Sequence, residues 1–299
     1  MSKKNRPINA FIIDDIQDYV DSLQISARAK RIILKSSTNL ETGIEEIKND
    51  KSIDFVILDG KCFVDEDQES TGTTASNIPI RAQKKIDDIN RNQNRSIQYC
   101  VNTGFYDDLH NSFDGVFEIF KKDDSEKLLN HIINEVSQSE NYKLRNKFSD
   151  AMSVFDDQII DIQYEFLLLE ILSALENSDY RQKNSKLIRD FLEAIYHGLI
   201  NIGCIPNTFL NKNDNPNLEW CTRYMEGRQT DDDKQNSYTL TNPIPQEIKS
   251  AFRKLKESTS GVSHLGPEDI IKTPFISNTY LLLELLEWLP SFKSQYYSI

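Results

Sequence analysis

The stretch NAFIIDDIQDY, Asn9 to Tyr19, decides how the first half of the chain folds. An apolar run, Ala10 to Ile13, ends in two adjacent aspartates, Asp14 and Asp15. Two like charges at the end of an apolar strand have two readings. Either the strand runs out into solvent and Asp15 caps the next helix, or the two carboxylates share a hard divalent cation, Mg2+ in particular, that neutralises them.

Similar apolar runs recur downstream. They are RIILKSS (31–37), DFVILD (54–59), IQYCVNT (97–103) and VFEIFK (116–121). Several are continuous rather than alternating, as strands buried on both faces of a parallel sheet are. Helical segments lie between them. IQDYVDSLQISARA follows the first strand. NLETGIEEIKND follows the second, with Asn39 as its cap and Leu40, Ile44 and Ile47 at helical spacing. PIRAQKKIDDINRN follows the third, with Pro79 in its first turn, and SEKLLNHIINEVSQ follows the fifth, with Ser125 as cap. Strands alternating with helices predict an α/β fold, a doubly wound five-stranded parallel sheet.

Ligands in such sheets bind at the carboxyl ends of the strands. The first strand ends in Asp14 and Asp15, the third in Asp59, the fourth in Thr103 and the fifth in Lys121. Three acids, a hydroxyl and a lysine would meet in one crevice. This half of the chain resembles the receiver domain of two-component response regulators, and the spacing from Asp15 to Asp59 is the one that family shows. The resemblance implies that Asp59 accepts a phosphoryl group. It implies that Asp14, Asp15, Asp59 and the backbone carbonyl of Lys61 hold Mg2+, that Thr103 contacts the phosphoryl group and that Lys121 pairs with it. Lys122 takes that place if the strand register slips by one. The aromatic switch residue of the family falls on Phe117 or Phe120.

Two stretches depart from the family pattern. GKCFVDEDQESTGTTASNIP, after Asp59, is long, acidic and polar and reads as a flexible insertion. The short interval from Thr103 to Lys121 leaves the fourth helix, around YDDLHNS, small or absent.

The receiver-like α/β domain spans 1–140, and residues 141–299 read as an all-helical output or interaction domain. The segments DQIIDIQYEFLLLEILSALENSD and NSKLIRDFLEAIYHGLINIGCIP are core helices; in the second, Leu187, Phe191, Ile195 and Leu199 keep a four-residue rhythm that Gly203 and Pro206 stop. An Asn- and Asp-rich stretch from Asn207 to Pro243 reads as a loop with a short extended piece. Further helices begin at Pro245 and at Thr273, the latter a cap with Pro274 in the first position. This half loosely resembles HEPN-related helical domains of abortive-infection and RNA-targeting proteins. That resemblance implies Arg189 and His264 as an output site, although Arg189 and His197 are too far apart for the family's Arg–His pattern. Read from the residues alone, Arg189 pairs with Glu193 one turn away and His264 caps or packs at the next helix.

The bulk properties bound the function. The chain has 299 residues, a formal net charge of −12 and a pI near 4.9. Such a surface repels phosphate backbones and anionic membranes, which argues against direct DNA binding. Four scattered cysteines without CxxC spacing support neither a zinc site nor a disulfide framework. With no signal-peptide core and no membrane-spanning run, the reading is a cytoplasmic, soluble protein.

The leading expectation is therefore a response-regulator-like signalling protein. It takes a phosphoryl group on Asp59 from a histidine kinase or phosphotransfer protein and switches a helical output domain that changes partner or forms a homo-oligomer. Its chemistry is confined to autophosphotransfer and dephosphorylation. The alternative is a receiver-gated, HEPN-like RNA-targeting or phage-defence effector.

Overall fold

Strand β1 (Ile8–Ile13) shows why its sequence does not alternate. Ala10 and Ile12 face one side of the sheet, into a core with Val20, Leu23, Phe55, Ile57, Leu128 and Ile132. Phe11 and Ile13 face the other, with Ile44, Ile47, Val56, Leu58, Ile86 and Ile89. Each face is covered by helices, so successive positions from Ala10 to Ile13 all favour an apolar residue. Burying one such Leu, Ile or Val side chain contributes roughly 1.5–3 kcal/mol.

The computed structural model of the chain describes residues 6–71, 78–93, 95–106, 116–261 and 266–297. They fall into two compact units, Met1–Lys143 and Leu144–Ile299. In the first unit β1 is joined by β2 (Ile32–Ser37), β3 (Phe55–Asp59), β4 (Gln98–Thr103) and β5 (Ile119–Lys121). All pairings are parallel and the order is β2-β1-β3-β4-β5. Helices α1 (Gln17–Ala29) and α5 (Ser125–Gln138) supply one core. Helices α2 (Leu40–Asn49) and α4 (Ile78–Gln93) supply the other. The expected doubly wound α/β sheet is present.

The register places the candidate residues. Ile13 pairs with Leu58, so β1 and β3 end side by side. Asp59 pairs with Asn102, and Thr103 with Lys121. The crevice between the ends of β1 and β3 is where the winding of the chain changes direction, the usual ligand position in such sheets.

Local expectations fare unevenly. Asn39 caps α2, its Oδ1 accepting from Thr42 N at 3.0 Å. Asp124, rather than Ser125, caps α5. Strand β5 is half the expected length. The stretch after Asp59 is not a loose insertion at its start: Cys62 and Val64 are buried, Leu40 N donates to the Phe63 carbonyl at 3.0 Å, and a short helix, α3 (Glu66–Thr71), follows. Its apolar residues anchor it against α2, which its overall polarity concealed. Residues 72–77 and the expected fourth helix from Asp107 onward lie outside the described residues.

The second unit is helical. After α6 (Glu140–Lys147), which crosses the division, come α7 (Ser149–Asp156), α8 (Glu165–Glu176) and α9 (Gln182–Asn201). They are followed by α10 (Leu218–Met225), a two-stranded hairpin of β6 (Thr230–Asp231) and β7 (Ser237–Tyr238), α11 (Gln246–Gly261) and α12 (Lys272–Tyr296). Phe191, Ile195 and Leu199 of α9 are fully buried with Leu282, Leu285, Leu286 and Leu289 of α12. Gly203, at φ +78°, stops α9 in the left-handed conformation that glycine adopts without strain. Helix α12 starts at Lys272 with Ile271 as its cap, so Thr273 and Pro274 both lie inside the first turn.

Helix α10 lies inside the stretch read as loop. Asn217 caps it through Trp220 N, and Cys221 and Met225 are buried. Among the described residues, no helix is long and apolar enough to cross a membrane.

Candidate functional site

Asp14 extends the β1 ladder by one step, its N–H donating to the Ser37 carbonyl at 3.0 Å. The strand thus carries the carboxylate to the edge of the core, where it is 1% exposed. Its Oδ1 accepts from Ile16 N at 3.0 Å, turning the chain into α1. Ile16 is the cap residue of α1 and makes no side-chain cap hydrogen bond. Asp15 is therefore not the helix cap, and its carboxylate is left for the crevice. Asp59, at the end of the fully buried β3, is 4% exposed. Carboxylate oxygens of Asp14, Asp15 and Asp59 lie within 4.8 Å of one another.

Among the described residues, one cation enters this cluster. Lys122 Nζ hydrogen bonds to Asp14 Oδ1 at 2.9 Å and to Asp59 Oδ2 at 3.1 Å, and it also lies 2.7 Å from Asp14 Oδ2. Of the two alternatives, Lys121 and Lys122 after a one-residue slip of register, Lys122 is the one that enters. The Lys121 side chain instead places its Nζ 4.9 Å from the centroid of the Tyr106 ring. The physical reason is the length of β5. The strand ends at Lys121, and the turn that follows directs the next residue into the crevice. A shift of one residue changes the face a strand presents.

The electrostatics follow from burial. Loss of solvent, and then the charge of Asp14, raise the Asp59 carboxyl; Lys122 opposes both, and the balance leaves it at about 7. Asp14 is raised as well, again by burial, against the lowering effect of Lys122 and of Ile16 N–H. Burial alone would depress the Lys122 ammonium, but Asp59 and Asp14 outweigh it and hold its pKa above the ordinary value.

Thr103 is fully buried at the end of β4, and its Oγ1 accepts from Phe105 N at 3.0 Å. Lys61, two residues beyond Asp59, places its ammonium 3.7 Å from the Phe105 ring centroid and so links the loops after β3 and β4. Of the two switch-residue alternatives, Phe120 packs on His131 with ring centroids 4.9 Å apart, and Phe117 lies near Tyr99 at 6.1 Å.

The residues fit a divalent cation. With its protons released, the cluster of three carboxylates and one ammonium would carry a formal charge of −2 in a crevice with little access to water. Asp59 Oδ1 is buried without a hydrogen-bond partner, a costly arrangement for a carboxylate oxygen unless a ligand completes it. Hard oxygen donors of this kind suit Mg2+.

In the second unit Arg189 pairs with Glu193 at 3.7 Å, one helical turn away, as its residue-level reading expected. His264 lies outside the described residues. His197 is half-buried on the same helix as Arg189. The buried charges of this unit are structural in position: Arg145 grips Glu165 at the start of α8 through Nε at 3.2 Å and Nη2 at 2.8 Å.

No protein-family model matches the chain, and no curated protein matches it. Site and fold must therefore speak through their own chemistry. Sequence reasoning missed Tyr19, whose hydroxyl donates to Asn102 Oδ1 at 2.5 Å beside the acidic cluster. An aromatic in the first turn of an amphipathic helix reads as core, and nothing in the sequence distinguishes it.

Proposed function

We propose that the Met1–Lys143 unit is a phosphoryl-accepting switch of the receiver type, with Asp59 as the acceptor and the helical unit as its output. The observation that carries the reading is the sharing of one ammonium, Lys122, between Asp14 and Asp59. It puts a nucleophile, a cation and two further carboxylates in one crevice at the winding change of a parallel sheet.

Each side chain has a role that its chemistry supports. An Asp59 carboxylate oxygen forms the new bond to phosphorus as the donor's bond to phosphorus breaks, and the donor leaves with the electron pair. Asp14, Asp15 and Asp59, with the Lys61 carbonyl, would hold Mg2+. When bound, the ion neutralises charge on the phosphoryl oxygens. Lys122 screens the acyl phosphate as a point charge. The Thr103 hydroxyl would donate to a phosphoryl oxygen, and its loop is the element that would carry the change outward. A phosphohistidine on a kinase or phosphotransfer protein is the donor class this chemistry fits.

The test is intact-mass measurement after incubation with a small acyl phosphate, with and without Mg2+, alongside Asp59→Asn. Expected is a single Mg2+-dependent phosphoryl adduct in the natural chain and none in the variant. Absence of an adduct in the natural chain, together with no Mg2+-dependent binding of beryllofluoride, would overturn the reading.

A further inference from the structure

Lys122 carries its charge on a flexible four-carbon stem and stands just past a three-residue strand. Such a side chain needs support if its ammonium is to stay between two carboxylates. The support comes from Tyr19 and Asn102. The Tyr19 hydroxyl donates to Asn102 Oδ1 at 2.5 Å, and Asn102 Nδ2 donates to the Lys121 carbonyl at 3.2 Å. Asn102 is fully buried on β4, so both ends of its amide are used to tie α1 to the peptide unit immediately before Lys122. The face of the Tyr19 ring also lies 5.0 Å from Lys122 Nζ, within the range of a cation–π contact.

We infer that Tyr19 is a positioning residue for Lys122, holding the ammonium over the Asp14–Asp59 crevice through its ring face and through the Asn102 strap. Simple core packing accounts for an aromatic at this place but not for the direction of its polar end. A hydroxyl aimed into the buried amide, with the ring turned to an ammonium, is a specific arrangement. Burial, and then the charge of Asp14, push the Tyr19 phenol well above its ordinary pKa, so it remains a donor throughout the neutral range.

The inference rests on reading Lys122 as the cation that faces the phosphoryl group, and two measurements on the full chain separate the claims. The first is graded acylation with a small amine reagent, read by peptide mass, with the exposed Lys35 as internal reference. Lys122 is expected to react slowest in the natural chain, faster in Tyr19→Phe and fastest, by several-fold, in Tyr19→Leu. Equal reactivity of Lys122 in the natural chain and in Tyr19→Leu overturns the positioning role.

The second is a double-mutant cycle on Mg2+-dependent beryllofluoride affinity, using Tyr19→Leu, Lys122→Ala and both together. Tyr19→Leu is expected to weaken binding by about three- to tenfold where Lys122 is present, the size of a partly desolvated ammonium–ring contact. It is expected to do nothing where Lys122 is absent. Equal losses in both backgrounds mean a general packing role and overturn the inference. No mimic binding by the natural chain overturns the proposed function instead, while the acylation series still decides whether Tyr19 holds Lys122.

Discussion

Lys122 Nζ lies 3.1 Å from Asp59 Oδ2, a contact between residues 63 positions apart that closes the crevice at the end of the central strand. Lys121, its neighbour, makes no such approach and lies over Tyr106 instead. The two lysines should therefore behave differently. Lys122→Ala leaves Asp14 and Asp59 buried together without their shared cation, which should destabilise the metal-free chain by about 1–3 kcal/mol at neutral pH. It should also weaken beryllofluoride binding by more than about tenfold, to an affinity that is still measurable, while raising the affinity for Mg2+ alone, because a competing positive charge is gone. Lys121→Ala should change stability by no more than about 0.5 kcal/mol. Urea melts and Mg2+ titrations of the two variants decide this, and matching behaviour would remove Lys122 from the site.

The burial of Asp59 gives the metal-free protein a pH dependence of known sign. Its carboxyl is raised to about 7 in the folded chain from an ordinary value of 3.8. Between those limits the folded state keeps a proton that the unfolded chain has released. Stability from this group is thus complete below about pH 4 and is lost as pH rises through 7, at up to about 1.4 kcal/mol per pH unit. Asp14 is raised too and acts in the same direction. Carboxylates such as Asp179, which Arg181 holds below the usual range, act in the opposite direction and obscure the total. Subtracting Asp59→Asn from the natural chain cancels them. In chelator-containing buffer the difference in unfolding free energy should fall from pH 5 to pH 7.5; a flat difference would mean that Asp59 is not desolvated.

Mg2+ should reverse that trend, because ion and proton compete for the same oxygens. Its affinity should rise with pH up to about 7 and then level off. At a hundredfold excess over its dissociation constant the ion should stabilise the chain by about 2.7 kcal/mol. Thermal shifts at pH 6 and pH 8 measure this, and the shift should be larger at pH 8. Asp15→Asn should lose most of the shift with little effect on the metal-free chain, since Asp15 is only partly buried and does not cap α1. A shift of equal size in Asp15→Asn would take that residue out of the ligand set.

The parts of this fold that the sequence made legible are those set by local period and burial. The unbroken apolar runs of β1 and β3 mark strands covered on both faces, and Asn39 sits where a cap must be. The acids at the strand ends followed directly. What stayed hidden depends on a single position of register or on tertiary partners. Whether Lys121 or Lys122 enters the crevice depends on where β5 ends. Tyr19 acquires its role only because Asn102 and Lys122 come to meet it. Helix α10 is concealed by its Asn- and Asp-rich surroundings, although Asn217 is its cap and Cys221 and Met225 fill the core.

Gly198 tests the packing of the helical unit in the same spirit. It lies in the middle of α9, where alanine would ordinarily be preferred by about 1 kcal/mol. A Cβ at this position would stand 2.1 Å from the carbonyl oxygen of Ile159 and 3.1 Å from its carbonyl carbon. Both are backbone atoms, so no side-chain rotation relieves the clash; either α9 or the chain after α7 must move. Gly198→Ala should therefore destabilise the helical unit by about 3 kcal/mol or more, against the helix preference. Gly43 makes a useful contrast. Its nearest neighbours are Ile13 side-chain atoms at 2.9 Å, which small rotations can move, and Ser37 Cβ at 3.3 Å, which needs only a few tenths of an ångström of give. Gly43→Ala should cost about 1–2 kcal/mol. Urea denaturation of the full chain ranks the two. If Gly198→Ala proved as stable as the natural chain, α9 could not lie this close to the Ile159 carbonyl, and the packing of the second core would have to be redrawn from that contact outward.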